Sequence, residues 1–392
     1  MNYLERAKEL EAEIVSNRRH IHGLAECGLE TEKTATFVQE FLKEAGIPSK
    51  RIGACGVTAC IGQGAPVILL RADMDALPME EQSGLSFASE NGNCHACGHD
   101  LHTSMLLCAA KMLKETENEL KGTVKLLFQP GEEIFCGASE MVKEGILKNP
   151  EVDVAMGIHA VALHPTGMLY YSDGPLMASC DAVEITVKGK GSHGATPWNG
   201  VDPISVLVQI YQAIQAMLSR EVNSKESVSL TFGIIRGGSA PNIIPEEAFL
   251  SGTLRTFNND VRYLIQKRVK ELAEGIAASF GAEAHVEYPS GVGYLNCDTT
   301  VVNEVVDALG ETLSDHLVKS NGKINASEDF SYISEQVPAI FMGLGTGMKE
   351  DGYAYAQHNP KVTFDEAALP YGAAAYATGA YGWLLKQAGK RK

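Results

Sequence analysis

Residues 92–104, Gly-Asn-Cys-His-Ala-Cys-Gly-His-Asp-Leu-His-Thr-Ser, put two cysteines, three histidines and an aspartate within thirteen positions. An apolar run, Met105–Ala110, follows directly. Thiolate, imidazole and carboxylate groups on a loop entering a helix form the donor set of a transition-metal site. Taken alone, Cys94-x-x-Cys97 also suits half of a structural zinc site or a redox pair. A closed structural site needs four ligands, commonly from a second C-x-x-C or H-x-x-H. The chain has no second C-x-x-C. A site in which Cys97 and His99 are completed from distant segments fits better.

Those segments are Asp73-Met74-Asp75, Gly131-Glu132-Glu133, Gly157-Ile158-His159 and His358. Amide hydrolysis near neutral pH needs a strong nucleophile, a proton shuttle and stabilisation of the developing oxyanion. Two divalent metals ~3.5–4 Å apart supply the first and third by acidifying a bridging water. Cys97, His99, Glu133, His159 and His358 are candidate ligands for two such ions. Glu132, beside a ligand, is the natural general base. Asp75 is suited to orienting a ligand imidazole. Asp73 also reads as a cap of the following turn. Serine nucleophile chemistry has no Gly-x-Ser-x-Gly elbow here, and no glycine-rich phosphate loop follows a strand.

The elements that must position these groups are legible in outline. Val67–Arg71, Val124–Phe128 and Val152–Ile158 are continuous apolar runs, the pattern of strands buried on both faces. They deliver Asp75, Glu132 with Glu133, and His159 to one sheet edge, where open α/β sheets collect active groups. Helices are expected over 3–22, 31–46, 102–116, 299–313 and 365–387, and a further strand over 338–344. His20 and His22 are possible ligands, but they read better as capping or packing residues at the end of the first helix. Between 181 and 293 the order becomes β-α-β-β-α-β, the split ferredoxin-like pattern. The expected fold class is α/β: a doubly wound mixed-sheet catalytic domain from 1–180 plus 294–392, with an inserted ferredoxin-like α+β domain at 181–293.

Bulk composition agrees. The 392 residues are 45% hydrophobic and 21% charged, the profile of a globular protein with a sizeable core. Net charge is −16, from 33 basic and 49 acidic side chains, which disfavours nucleic acid and anionic membrane as partners. No apolar run approaches the ~20 residues of a membrane span. Met1–Arg19 is charged throughout and lacks the apolar centre of a signal peptide. Nine scattered cysteines suit free thiols in a reducing compartment. A cytoplasmic location is expected.

Together, Arg71-Ala-Asp-Met-Asp-Ala-Leu-Pro78, His95-Ala-Cys-Gly-His-Asp100, Phe128-Gln-Pro-Gly-Glu-Glu133, Gly157-Ile-His159, Gly191-Ser-His-Gly-Ala-Thr-Pro197 and Gly343-Leu-Gly345 with His358-Asn359 carry a resemblance. The chain resembles the di-metal amidohydrolases of the aminoacylase/carboxypeptidase clan. Its branch is that of hippurate hydrolases, auxin-conjugate hydrolases and bacterial N-acyl-amino-acid deacetylases. The resemblance implies two divalent ions per subunit, with Cys97 as the bridging ligand and His99, Glu133, His159 and His358 completing the set. Zinc suits thiolate and imidazole, and manganese, cobalt or nickel are alternatives. It implies Glu132 as general base, and it leaves Asp73 at the position of the family's usual metal histidine. It also implies that 181–293 is a dimerisation or lid domain, making a homodimer or higher homo-oligomer. His193 there matches a histidine that polarises the scissile carbonyl in the other subunit. Asn242 and Arg255 match contacts to the substrate carboxylate, for which the planar guanidinium is suited. The implied reaction is hydrolysis of an N-acyl L-amino acid. A dipeptidase or carboxypeptidase of the same clan is the nearest alternative, and a non-catalytic binding protein the more distant one.

Overall fold

A computed structural model of the chain describes residues 1–320 and 322–390. The chain divides into two compact units. The first is Met1–Gly174 with Asn296–Gly322 and Asp329–Lys392; the second is Pro175–Leu295 with Lys323–Glu328. The second unit therefore begins earlier than the 181–293 segment expected, and it takes in a short return of the chain. Backbone bonding explains the return: Ala178 N–H reaches the carbonyls of Ile324 and Ala326, each at 3.0 Å.

The first unit opens with β1 (Ser49–Ile52), β2 (Gly56–Gly62), β3 (Val67–Asp73), β4 (Thr123–Gln129), β5 (Val154–Val161) and β6 (Leu169–Tyr171). The second carries β7 (Cys180–Lys188), β8 (Val228–Gly237), β9 (Glu247–Thr256) and β10 (Glu283–Glu287). The first then resumes with β11 (Leu317–Lys319) and β12 (Ala339–Gly345). The helices that matter to the site are α1 (Glu11–Leu24), α2 (Glu32–Glu44), α3 (His99–Glu115), α4 (Pro203–Glu221), α5 (Asn259–Ser279) and α6 (Leu369–Lys390).

In the first unit the strand order is β1-β2-β4-β3-β5-β12-β6-β11. The centre is parallel: β3 pairs with β4 and β5, and β12 pairs with β5. Antiparallel pairings flank it, so the sheet is mixed. Every residue of β3 and β4 is buried, as continuous apolar runs require when helices cover a sheet. Lys125 is one polar interruption, and its buried ammonium is satisfied by donating to the Lys148 carbonyl at 2.8 Å. Helices α3 and α6 pack on each other and against β3 and β5. Strand β5 does not stop before His159 as the apolar run suggested. It continues to Val161 because its partner β12 runs on to Gly345.

The second unit is an antiparallel sheet in the order β8-β9-β7-β10. Alternate burial along β7 gives it one core face. Val183, Ile185, Val187, Ile210, Ile214, Leu250 and Val269 meet in that core beneath α4 and α5. The element order matches the split ferredoxin-like pattern. No helix of the described residues is long and apolar enough to cross a membrane.

Candidate metal centre

Three sheet positions and two loops build the centre. Beyond β3, Asp75 is fully buried and grips the loop after β4. Its Oδ1 accepts the Glu132 N–H at 3.0 Å and its Oδ2 the Glu133 N–H at 3.1 Å. Asp75 Oδ1 also lies 3.5 Å from His99 Nδ1. One carboxylate thus holds both glutamates by their backbone while facing the His99 ring. The Cys94–His99 turn ends at Gly98, whose φ of +94° starts α3. A Cβ there would stand 3.2 Å from Ala160 Cβ and 3.3 Å from the Phe364 ring. His358 also has a left-handed backbone, at φ +61°. Its N–H is anchored on the Ala96 carbonyl at 2.9 Å. That anchor brings the last loop to the first cysteine turn.

The donor atoms converge. Those of Cys97, His99 and His159 lie within 4.8 Å of one another, and so do those of Cys97, Glu133 and His358. Cys97 is the member common to both groups. His159 Nδ1 donates to the Ala160 carbonyl at 2.6 Å, which leaves Nε2 facing Cys97 Sγ at 3.5 Å. His358 Nε2 stands 3.4 Å from Glu133 Oε1. Glu132 is 5% exposed, with Oε2 3.9 Å from His99 Nε2.

Charge is arranged to suit a cation. Burial opposes ionisation of Cys97, but His159 and His99 outweigh it and bring the thiol down to about 6. The neighbouring Cys97 and Glu133 side chains lift His358 to about 10. Burial works against the Glu133 carboxylate, yet His358 and His99 hold it below the usual range. Both ring nitrogens of His99 and Glu133 Oε1 are buried without a hydrogen bond. Buried donors and acceptors left this way are costly unless something occupies them. A thiolate, imidazoles and a carboxylate with unused lone pairs fit divalent metal.

Comparison with known proteins places the chain. The profile of Peptidase family M20/M25/M40 matches residues 69–381. An N-acetyl-L-cysteine deacetylase of Bacillus subtilis (strain 168) is 39% identical over 364 residues, covering 92% of this chain and 85% of the relative. The chain belongs to this family. The IAA-amino acid hydrolase ILR1-like 2 of Arabidopsis thaliana is 37% identical, covering 96% of this chain and 86% of its own. The solved Bacillus subtilis YXEP protein, described as a dinuclear metal binding peptidase from the M20 family, superposes with a TM-score of 0.81. It is 33% identical over 95% of this chain and 98% of its own. This M20/M25/M40 member is accordingly an enzyme that hydrolyses amides.

Three residues singled out in the sequence belong to the second unit of the M20/M25/M40 chain. Exposed His193 lies opposite Ile243 in a two-residue ladder, and the Asn242 carbonyl accepts the Gly194 N–H at 2.8 Å. His193 and Asn242 are thus neighbours. Arg255 Nη1 donates to the Asn325 carbonyl at 2.8 Å and to Ser327 Oγ at 2.9 Å.

Other buried groups carry structural weight that the sequence did not assign. His22 neither caps nor merely packs: Nδ1 meets Asp100 at 2.8 Å and Nε2 meets Glu81 at 3.0 Å. Burial disfavours its charged form, but Asp100 and Glu81 raise it to about 9. Buried Arg18 adds a 2.9 Å pair to Asp100. Arg71 reaches Asp73 at 2.7 Å, Gln129 at 2.9 Å and Asp329 at 2.8 Å. Asp329 in turn accepts Gln129 Nε2 and the Ala138 N–H, both at 2.8 Å. The signal for this second network was a charged residue, Arg71, inside a buried apolar run. His95 is buried with neither nitrogen hydrogen-bonded.

Proposed function

We propose that the chain hydrolyses the amide bond of N-acyl L-amino acids, releasing a carboxylic acid and a free amino acid. Cys97, His99, Glu133, His159 and His358 would hold two divalent ions, with Cys97 bridging. The observation that carries this is the pair of donor groups sharing Cys97, with the Glu132 carboxylate alongside. The bound ions would polarise the scissile carbonyl and acidify a water. Glu132 takes the proton of that water on a carboxylate oxygen and returns it to the leaving amine nitrogen. Asp75 keeps Glu132 in place through the backbone and keeps the His99 ring oriented. His193 holds the developing oxyanion from the other subunit of a homodimer. Arg255 and Asn242 receive the substrate carboxylate.

The surface of the second unit supports a homodimer. Ile204, Val208 and Tyr211 are exposed at 37%, 39% and 40%, spaced to share one face of α4. Strand β8 lies at the edge of its sheet and exposes Ile234 at 40% and Ile235 at 60%. An open apolar edge beside an apolar helix face suits pairing with a second copy. Zinc is the ion best matched to thiolate and imidazole.

Turnover of a panel of acetyl-, benzoyl- and indole-acetyl-amino acids, with and without chelator, tests the proposal. Chelator-sensitive cleavage of one member is expected. Cleavage of dipeptides alone would replace this reading with a dipeptidase.

A further inference from the structure

Three histidines crowd the start of α3, and the proposed ligand set uses one of them. His102, one turn beyond His99, is 1% exposed. Its donor atom falls within 4.8 Å of those of Asp73 and His99, which invites a further metal triad. The hydrogen bonds forbid it. His102 Nε2 accepts the backbone N–H of Ala160 at 2.7 Å. A peptide N–H can only donate, so Nε2 is bare and the ring proton sits on Nδ1. Nδ1 then donates to Asp73 Oδ1 at 2.5 Å. Arg71 donates to the other oxygen of Asp73 at 2.7 Å. The tautomer is fixed from both sides, and no lone pair of His102 remains for a metal.

What His102 holds is the residue next to a proposed ligand. The Ala160 N–H goes to His102, and the Ala160 carbonyl accepts both His159 Nδ1 and Gln357 Nε2 at 2.6 Å. The acceptor that aims the His159 ring is therefore itself held. The rings of His102 and His159 also meet edge-on, centroids 4.5 Å apart at 64°. We infer that His102 is a positioning residue for His159. Asp73 sets its tautomer, Nε2 holds the N–H of Ala160, and the carbonyl of that same residue, on the next peptide, directs His159 Nε2 toward Cys97. The inference rests on the reading of His159 as a metal ligand. It also gives Asp73 a task other than capping a turn: it stands where it can dictate which nitrogen of His102 is bare.

The test is a Co²⁺ titration of the metal-free full-length protein, followed by the visible d–d bands and the thiolate-to-cobalt charge-transfer band of Cys97. His102→Leu removes the acceptor for the Ala160 N–H. It should weaken one of the two Co²⁺ equivalents about ten- to hundred-fold and shift the d–d bands. His102→Gln, whose amide oxygen can take the place of Nε2, should recover most of that affinity. A His102→Leu protein that binds both equivalents with unchanged affinity and spectrum overturns the inference. So does a His102→Gln protein as weak as His102→Leu. His159→Ala is the control: if it keeps both equivalents unchanged, the ligand reading fails and takes this inference with it. If only His159→Ala loses metal, the ligand reading stands and the inference falls. Should His102→Leu not fold, ¹⁵N imidazole spectra of the metal-free native protein decide. The Nδ1–H tautomer at His102 is expected, and an Nε2–H tautomer overturns the proposal.

Discussion

Glu132 and Glu133 are neighbours in sequence with different surroundings. Both carboxylates lie 3.9 Å from His99 Nε2, but the Glu133 carboxylate also faces His358 at 3.4 Å. Adjacent carboxylates on a surface would be interchangeable; here Asp75 fixes both amides and so separates their tasks. Glu132→Gln should lower kcat by roughly 10²–10⁴-fold while metal content, measured on the purified protein, stays at the native level. Full activity in that variant would remove Glu132 from the proton path. Metal uptake should also report the protons it displaces. His358 keeps its proton to about 10 in the metal-free chain, so binding at pH 7–8 must expel it. Cys97, at about 6, has already lost its own. Apparent metal affinity should therefore rise between pH 7 and 9, with calorimetry in buffers of different ionisation enthalpy showing net proton release.

Between elements, the site depends on joints. Gly98 is one: φ is +94°, and a methyl group there would press on Ala160 at 3.2 Å and Phe364 at 3.3 Å. Gly98→Ala should cost upwards of about 1–2 kcal/mol, read as a lower urea midpoint, with metal content falling alongside. Wild-type stability in that variant would mean the turn relaxes freely. A second joint is His22, which ties α1 to Asp100 at the start of α3. Its folded-state value of about 9 exceeds the ordinary 6.5, so it contributes fully below pH 6.5 and the contribution fades as pH rises through 9. Urea midpoints of the native protein should fall across that range, and His22→Gln should flatten the fall. The sequence exposed the central strands because burial on both faces leaves an uninterrupted apolar signature. It hid β1, β6 and β11, which are three or four residues long and lack a period. Asp75 was legible as a carboxylate past a strand end. Its grip on amides 57 and 58 residues away was not, because no local pattern encodes a long-range hydrogen bond. His102 was visible as a third histidine, but a ligand and a prop share one residue type and differ only in what the ring faces.

At the scale of the molecule, two expectations can be read in solution. If the α4 face and the β8 edge join two copies, Tyr211→Glu with Ile235→Glu should halve the mass found by light scattering. An unchanged mass would move the interface elsewhere. The other concerns the order of synthesis. Strand β12 lies between β5 and β6, yet it is encoded some 180 residues after β5. At about 5–20 residues per second, a ribosome leaves the inner edge of β5 without its neighbour for roughly 10–40 s. During that interval the antiparallel second unit can form from its own strands, while the larger sheet waits with a bare apolar strand at its rim. His358 arrives later still. A truncated or stalled chain therefore presents an adhesive edge together with an unfinished set of ligands, and it is at this stage that chaperone contact and metal mis-loading would concentrate.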